Sequence, residues 1–380
     1  MGNRSREEKG LYLSRLSLQN YRNYAREELI PHRRINILYG ENAQGKSNLL
    51  EAIFLLATGK SPRNARDQEM ARWGENWYRI DADIERRDYS FRVEISYRAG
   101  TGKVLSINGQ KQERLLDLLG RLNVVFFSPE ELQLVKGGPS QRRRFLNLQL
   151  SQTNPRYYYY LQQYRRILQQ RNILLKDIRS GRTYRRDELP VWDRQLVKVG
   201  AGIVWKRQEL VTKLAPLAQE YHKQISGGRE ILTVEYKPSF PGGGEGKVKE
   251  IEESFNKALL AAREEEFQRR MTVIGPHRDD LFIFLNGRDG RVYGSQGQQK
   301  TAALSLKLAE AEYMEEEMGE HPILLLDDIM SELDGERRQF VLKTVQERGQ
   351  VFITGTEGME MSPGAEGNSY RVDQGVIIKL

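Results

Sequence analysis

The chain has 380 residues, with 60 Lys+Arg against 52 Asp+Glu, a formal charge of +8 and a pI near 9.4. Cysteine is absent, which excludes disulfides and thiolate metal sites, and the scattered histidines His32, His222, His277 and His321 argue against zinc. No run of about eighteen apolar residues exists for a membrane span, and Met1-Gly2-Asn3-Arg4-Ser5-Arg6 lacks an apolar leader core, so a cytoplasmic protein with no membrane partner is expected. The basic balance is modest support for nucleic acid as a partner.

Leu11 to Leu18 alternates as a strand does, and Ile35-Asn36-Ile37-Leu38-Tyr39 reads as a buried strand. Gly40-Glu41-Asn42-Ala43-Gln44-Gly45-Lys46-Ser47 follows, then a helix over Asn48 to Leu56. The octad is G-x-x-x-x-G-K-[ST], a phosphate-binding loop between a strand and a helix. Its glycines let successive backbone N–H groups curl around a phosphate, and the helix N-terminus adds partial positive charge. Lys46 is expected to reach the terminal phosphates and Ser47 to ligate Mg²⁺, with Gly40 through Asn48 forming the nucleotide contact. A triphosphate is the expected guest.

Tyr78 to Ile84 and Ser90 to Tyr97 read as a meander, and Val104 to Ile107 closes on the hairpin signal Asn108-Gly109. After the apolar run Asn123 to Phe127, Pro129 stops the strand. Helical spacing then dominates from Glu130 to about Arg269, in Tyr157 to Lys176, Trp192 to Ile225 and Val248 to Arg269. A strand pair around Ile231 to Phe240 and the loop Pro241-Gly242-Gly243-Gly244-Glu245-Gly246 interrupt it. The run Tyr157-Tyr158-Tyr159-Tyr160 faces all directions on a helix and is expected at the insert's core or rim.

Strand character returns at Leu281 to Leu285. Ser295-Gln296-Gly297-Gln298 then opens a helix running from Thr301 to Glu316, a second candidate anion site through the Ser295 hydroxyl and neighbouring N–H groups, with Gly297 and Gln298 in the contact set. Ile323-Leu324-Leu325-Leu326 is an apolar strand ending in Asp327 and Asp328. Such a strand delivers its terminal carboxylates to the C-terminal edge of a sheet, beside a phosphate loop. Asp327 is the expected Mg²⁺ partner, and Asp328 the catalytic acid that orients or deprotonates the attacking water, alongside Lys46.

This ordered set, with Ser331-Glu332-Leu333-Asp334, resembles the ATP-binding-cassette head shared with structural-maintenance-of-chromosomes proteins. Asn20-Tyr21-Arg22-Asn23-Tyr24, Ser128-Pro129-Glu130, Gly137-Gly138-Pro139-Ser140-Gln141-Arg142-Arg143-Arg144-Phe145-Leu146 and Gly275-Pro276-His277-Arg278-Asp279-Asp280-Leu281 resemble the RecF family of recombination mediators.

The resemblance implies an α/β fold: a cassette-type ATPase lobe of mixed β-sheet and helices from residues 1–128 and 270–380, and a mainly helical lobe inserted at 129–269. It implies an ATP-held homodimer in which Ser295 and Gly297 of one chain touch the γ-phosphate bound by the other. The implied function is binding of duplex DNA near single-stranded gaps and junctions, with a slow DNA-stimulated ATPase, aiding recombinase loading with RecR and RecO. Lys60, Arg63 and Arg66 are the expected DNA contacts, ahead of Arg142-Arg143-Arg144. Asp328 stands where cassette ATPases usually have Glu, which implies slow hydrolysis. Pro129-Glu130 and Gly355-Thr356 stand where a Gln and a His are usual, and Asn147 where the family has Asp. A cassette ATPase driving a membrane permease would share the loop and the acids but not the Arg-rich insert. A chromosome-bridging head would need long coiled-coil arms, for which no sustained heptads exist.

Overall fold

Alternation of buried and exposed side chains builds the first sheet. The computed structural model describes residues 10–179, 187–241, 247–346, 348–357 and 366–380, so Met1 to Arg6 and most of the glycine-rich loop 241–246 lie outside the described residues. Strands β1 (Tyr12–Tyr21), β2 (Tyr24–Leu29), β4 (Trp77–Glu85), β5 (Ser90–Arg98), β6 (Gly102–Ile107) and β7 (Gln110–Gln112) form an antiparallel sheet in the order β2-β1-β4-β5-β6-β7. Leu13, Leu16 and Leu18 of β1 and Tyr78, Ile80, Ala82 and Ile84 of β4 are buried. Asp81 is also buried and accepts from Arg15 and Arg92.

The second sheet interleaves the two ends of the chain. Strands β3 (Ile35–Tyr39), β8 (Val124–Phe127), β12 (Ile323–Leu326), β13 (Val351–Gly355), β14 (Gly367–Asp373) and β15 (Val376–Lys379) run in the order β15-β14-β3-β13-β12-β8. All pairs are parallel except the β14–β15 hairpin. The largely apolar, buried runs of β3, β8 and β12 fit a sheet covered on both faces. Helix α1 (Lys46–Thr58) packs on β4 and β5 and also on β8 and β13. It is therefore buried nearly all round, as its unbroken apolar run Ile53-Phe54-Leu55-Leu56-Ala57 requires. The parallel register brings the carboxyl ends of β3, β13, β12 and β8 to one edge, where a ligand site in an open parallel sheet belongs.

Contacts divide the chain into two units, residues 1–132 with 310–380, and residues 133–309. The second contains α2 (Pro139–Thr153), α3 (Pro155–Arg179), α4 (Leu189–Ile225), α5 (Val248–Ala261), α6 (Arg263–Arg269), the short α7 (Gly290–Tyr293) and the start of α8 (Gln296–Met318); α9 (Gly335–Gln346) belongs to the first. The expected lobe boundary at 269 and this one at 309 differ for a physical reason. Strand β10 (Asp280–Leu285) pairs along its whole length with β9 (Leu232–Lys237), with β11 (Arg288–Asp289) at the edge, and Asp280 takes a bidentate pair from Arg142 of α2 at 2.8 Å. Residues 280–289 thereby complete the helical unit's own sheet.

Two element expectations are corrected. The strand pair at 231–240 is one strand, β9, whose partner lies in β10 far along the chain. The helix over 248–269 is broken at Ala262, whose ψ of 2° leaves the helical range. The tyrosine run divides as a helix surface must: Tyr157 is buried while Tyr159 and Tyr160 are exposed.

The helical unit is held by buried charge. Arg171 donates to Asp193 at 2.8 Å, to Glu266 at 2.6 Å and to the Thr272 hydroxyl at 2.8 Å. Arg207 donates to the Pro276 carbonyl at 2.7 Å, to Asn147 at 2.9 Å and to the Tyr157 hydroxyl at 3.1 Å. Asn147 Oδ1 also accepts from Tyr157 at 2.6 Å, so the amide oxygen serves both donors that a carboxylate would serve there. Tyr236 donates to Asp279, and Tyr164 faces His277 Nδ1 at 2.7 Å. The segment Gly275 to Asp280 is thus a knot of buried hydrogen bonds tying α3, α4 and β9 together.

Candidate nucleotide site

Strand β3 ends at Tyr39 and α1 starts at Lys46, so the six residues between them must reverse the chain at the sheet edge. Gly40 at φ 149° and Gly45 at φ 121° make this possible. A Cβ on Gly40 would lie 2.3 Å from the Val372 carbonyl oxygen, and one on Gly45 2.7 Å from the Asn23 side chain. Ala43 carries a left-handed φ of 65° without being glycine.

Two neighbouring turns hold the loop. Asn23 Nδ2 donates to the Gln44 carbonyl at 2.7 Å and the Tyr24 hydroxyl to the Gly45 carbonyl at 3.0 Å. From the β14–β15 turn, the N–H of Gly375 donates to the same Gln44 carbonyl at 3.0 Å, and that of Gln374 to Gln44 Oε1 at 2.7 Å. With its carbonyls taken on the outside, the loop keeps its N–H groups for the inside. The motif Asn20 to Tyr24 gains a physical meaning here, because Arg22 also clamps the buried Glu51 of α1 at 2.9 and 2.8 Å. Ser61 adds a donor to Glu51 at 2.5 Å.

Lys46 is almost fully buried, and its ammonium donates to the carbonyls of Gly40 at 2.7 Å and Glu41 at 2.8 Å, both within its own loop. Asn48, expected to touch nucleotide, donates to Asn23 Oδ1 at 2.9 Å and so braces the loop. Asp327, at the end of β12, is buried, and that burial pushes its pKa up against the opposing pull of the Ser47 hydroxyl, Arg63 and Thr354. The Ser47 hydroxyl thus lies near enough to the Asp327 carboxylate to oppose that rise, and a hydroxyl beside a carboxylate is the pair that an Mg²⁺ site next to a phosphate loop needs.

Asp328 has a left-handed φ of 50°, and its N–H donates to Thr354 Oγ1 at 2.9 Å. Its carboxylate has no hydrogen-bond partner among the described residues. No motif in the sequence marks Thr354, yet its hydroxyl also donates to Asp327 Oδ1 at 3.0 Å and so fixes both acids. The register explains it: Leu326 pairs with Ile353, which puts Thr354 level with Asp327.

Arg63 departs from the expected grouping with Lys60 and Arg66. It is turned to Asp327 Oδ2 at 3.4 Å and Asn48 Oδ1 at 3.5 Å, placing a guanidinium beside the acid. Lys60, Arg63 and Arg66 are all exposed. In the run Arg142-Arg143-Arg144, Arg142 is spent on Asp280 and Arg143 donates to the Asp279 carbonyl at 2.8 Å. Ser295, Gly297 and Gln298 lie in the other unit, at the start of α8. The Gln298 N–H donates to Ser295 Oγ at 3.2 Å, and Gln298 Oε1 accepts the Ser295 N–H at 2.9 Å, a reciprocal cap.

Residues 12–374 match the family model described as the RecF/RecN/SMC N terminal domain. The chain is 41% identical over 373 residues to the DNA replication and repair protein RecF of Bacillus subtilis, covering 97% of this chain and 100% of that one. It is 45% identical over 348 residues to the protein of the same name from Halothermothrix orenii, covering 91% and 92%. Among solved structures it superposes on the recombination mediator protein RecF-ATP in RecFOR pathway with a TM-score of 0.91 at 36% identity, each chain covered in full. The Smc head domain of Pyrococcus furiosus shares the fold, with a TM-score of 0.55 at 14% identity, covering 97% of this chain and 96% of that one. By the match over residues 12–374 and by relatives 41–45% identical over nearly their whole length, the chain belongs to the RecF family of DNA replication and repair proteins.

Proposed function

We propose that the chain binds ATP at Gly40 to Ser47, closes into an ATP-held dimer, and in that form grips duplex DNA beside single-stranded gaps during recombinational repair and replication restart. The observation that carries this reading is the meeting of Lys46, Ser47, Asp327, Asp328 and Thr354 at the edge where β3, β12 and β13 end. Lys46 already holds its ammonium at the loop's mouth, where phosphate oxygens replace the Gly40 and Glu41 carbonyls as acceptors. Ser47 and Asp327 would hold Mg²⁺, which would neutralise phosphate charge.

Asp328, left with a carboxylate free of protein partners among the described residues, orients the attacking water and takes its proton. Its shorter side chain, in place of the usual Glu, sets the water less well and keeps hydrolysis slow. Arg63, exposed yet turned toward Asp327, stands within reach of the same phosphates. Ser295 and Gly297 complete the partner chain's site, and Lys60 and Arg66 contribute phosphate contacts to DNA. RecR is the proposed protein partner, with RecO in the same pathway, on the strength of the RecFOR context of the solved relatives.

Among the described residues no helix is long and apolar enough to cross a membrane, and relatives at 41–45% identity are named DNA replication and repair proteins. The relatives' names do not favour a permease motor. Light scattering after size exclusion, with and without ATP and duplex DNA, tests the reading on the wild type and Lys46→Met. The wild type should double in mass with ATP and hold DNA, and Lys46→Met should do neither while staying folded. A Lys46→Met protein with unaltered ATP affinity would remove the loop from the mechanism.

A further inference from the structure

Three hydrogen bonds connect the end of the longest helix to the segment assigned above to the partner's nucleotide. His222 lies in the last turn of α4 with its side chain fully buried, and its Nε2 is 3.1 Å from Glu230 Oε2. The chain folds back between them through Gly227 and Gly228, whose N–H groups bond to the carbonyls of Gln224 and Lys223. The second oxygen of Glu230 accepts the side-chain amide of Gln298 at 3.0 Å. Gln298 turns its own carbonyl to the N–H of Ser295. His222 also reaches Ser305 Oγ through Nδ1 at 3.4 Å. Gln298 and Ser305 are seven residues apart, so they share one face of α8.

A carboxylate only accepts, and Glu230 is flanked by two donors, the His222 ring and the Gln298 amide. This fixes the Gln298 amide one way round: nitrogen toward Glu230, oxygen toward Ser295. Reversal would set two oxygens face to face and two N–H groups face to face. With its N–H held and its Oγ accepting from the Gln298 N–H, Ser295 has its hydroxyl proton left to donate outward.

We propose that His222 and Glu230 are positioning residues for the Ser295–Gln298 segment, a relay that carries the placement of the α4 terminus to the hydroxyl offered to the partner chain's γ-phosphate. The inference rests on the reading that this segment completes the partner's ATP site. It makes the end of α4, together with the turn that follows it, a determinant of dimer closure.

Exchange of the two side chains tests it. Glu230→Gln presents an amide to Gln298 and leaves one donor facing another, while Gln298→Glu sets two carboxylates against each other. The double variant Glu230→Gln/Gln298→Glu restores every bond with amide and carboxylate exchanged: the new amide oxygen accepts from His222, and the new carboxylate accepts from the new amide and from the Ser295 N–H. Sedimentation velocity on the full chain with ATP should show dimerisation weakened about tenfold in each single variant and back within about threefold of wild type in the double. The ATP affinity of monomeric Glu230→Gln, read by calorimetry, should stay within about twofold of wild type and reports that the protein is folded. Single variants that dimerise normally, or a double variant as weak as its singles combined, would overturn the relay. Ser295→Arg separates the two ideas: normal dimerisation there removes the reading itself, whereas a block there with normal Glu230→Gln removes the relay alone.

Discussion

The nucleotide edge and the buried knot of the helical unit use the same residue types in opposite ways. Around Arg171 and Arg207 every guanidinium nitrogen has a partner, at 2.6–3.1 Å, and both side chains are among the fully buried ones. At the loop, among the described residues, Lys46 bonds only to carbonyls of its own turn, Arg63 stands off its acid at 3.4 Å, and Asp328 keeps an unengaged carboxylate. Charges that are satisfied hold a fold; charges left under-satisfied are available to a ligand. A buried polar group is costly unless fully paired, so the knot tolerates no loss, while the site tolerates change in stability but not in chemistry.

The largest effect should therefore come from breaking the knot. Arg171→Met removes the cation between Asp193 and Glu266 and should cost about 3–5 kcal/mol of unfolding free energy, because two buried carboxylates lose a shared partner. Urea denaturation measures it. A loss below about 1 kcal/mol would mean that Arg263, which also donates to Asp193 at 2.5 Å, carries the network alone.

A pH-dependent version of the same contrast follows from His277. Burial pushes its pKa down to about 4, with Tyr164 facing Nδ1 and Nε2 against the Thr272 carbonyl, the pattern of a neutral ring. The unfolded chain, with an ordinary histidine, binds the extra proton first, so this contribution is complete above about pH 6.5 and is lost as pH falls toward 4. Its size is on the order of 3 kcal/mol. His277→Gln should flatten the fall in denaturation midpoint between pH 6.5 and 4 while lowering stability at neutral pH; an unchanged slope would assign the dependence to other groups.

At the nucleotide edge, Asp328→Asn should leave folding and ATP binding in place and slow hydrolysis about 100-fold, since the amide hydrogen-bonds water but does not take its proton. Single-turnover phosphate release reads this, and the ATP-held dimer should last longer. Unchanged hydrolysis in Asp328→Asn together with its loss in Asp327→Asn would exchange the roles given to the two acids.

The smallest effect concerns DNA. Lys60→Ala with Arg66→Ala should weaken every duplex about equally and lower the slope of log K against log[salt] by about two, one for each lost phosphate contact. Arg63→Ala should instead disturb hydrolysis, because its guanidinium sits by Asp327. Fluorescence anisotropy across a salt series distinguishes them. A slope altered by Arg63→Ala alone would return that residue to the DNA face.

The sequence by itself determined the phosphate loop, the acids after β12 and the alternation of the first sheet, because each is a local pattern whose chemistry depends on near neighbours. The strand, loop and helix around Lys46 are legible for that reason. What only the tertiary structure decided are the partners that arrive from far along the chain. Thr354 reaches Asp327 through a parallel register between β12 and β13, and Asn23 and Gln374 strap a loop from which one is 21 and the other 330 residues distant. The same holds for β9, which reads as half of a local hairpin until β10 is seen beside it, and for Arg142, which reads as a DNA contact until Asp280 takes it up. A charged side chain's role is set by the nearest opposite charge in space, and sequence separation carries no record of that distance.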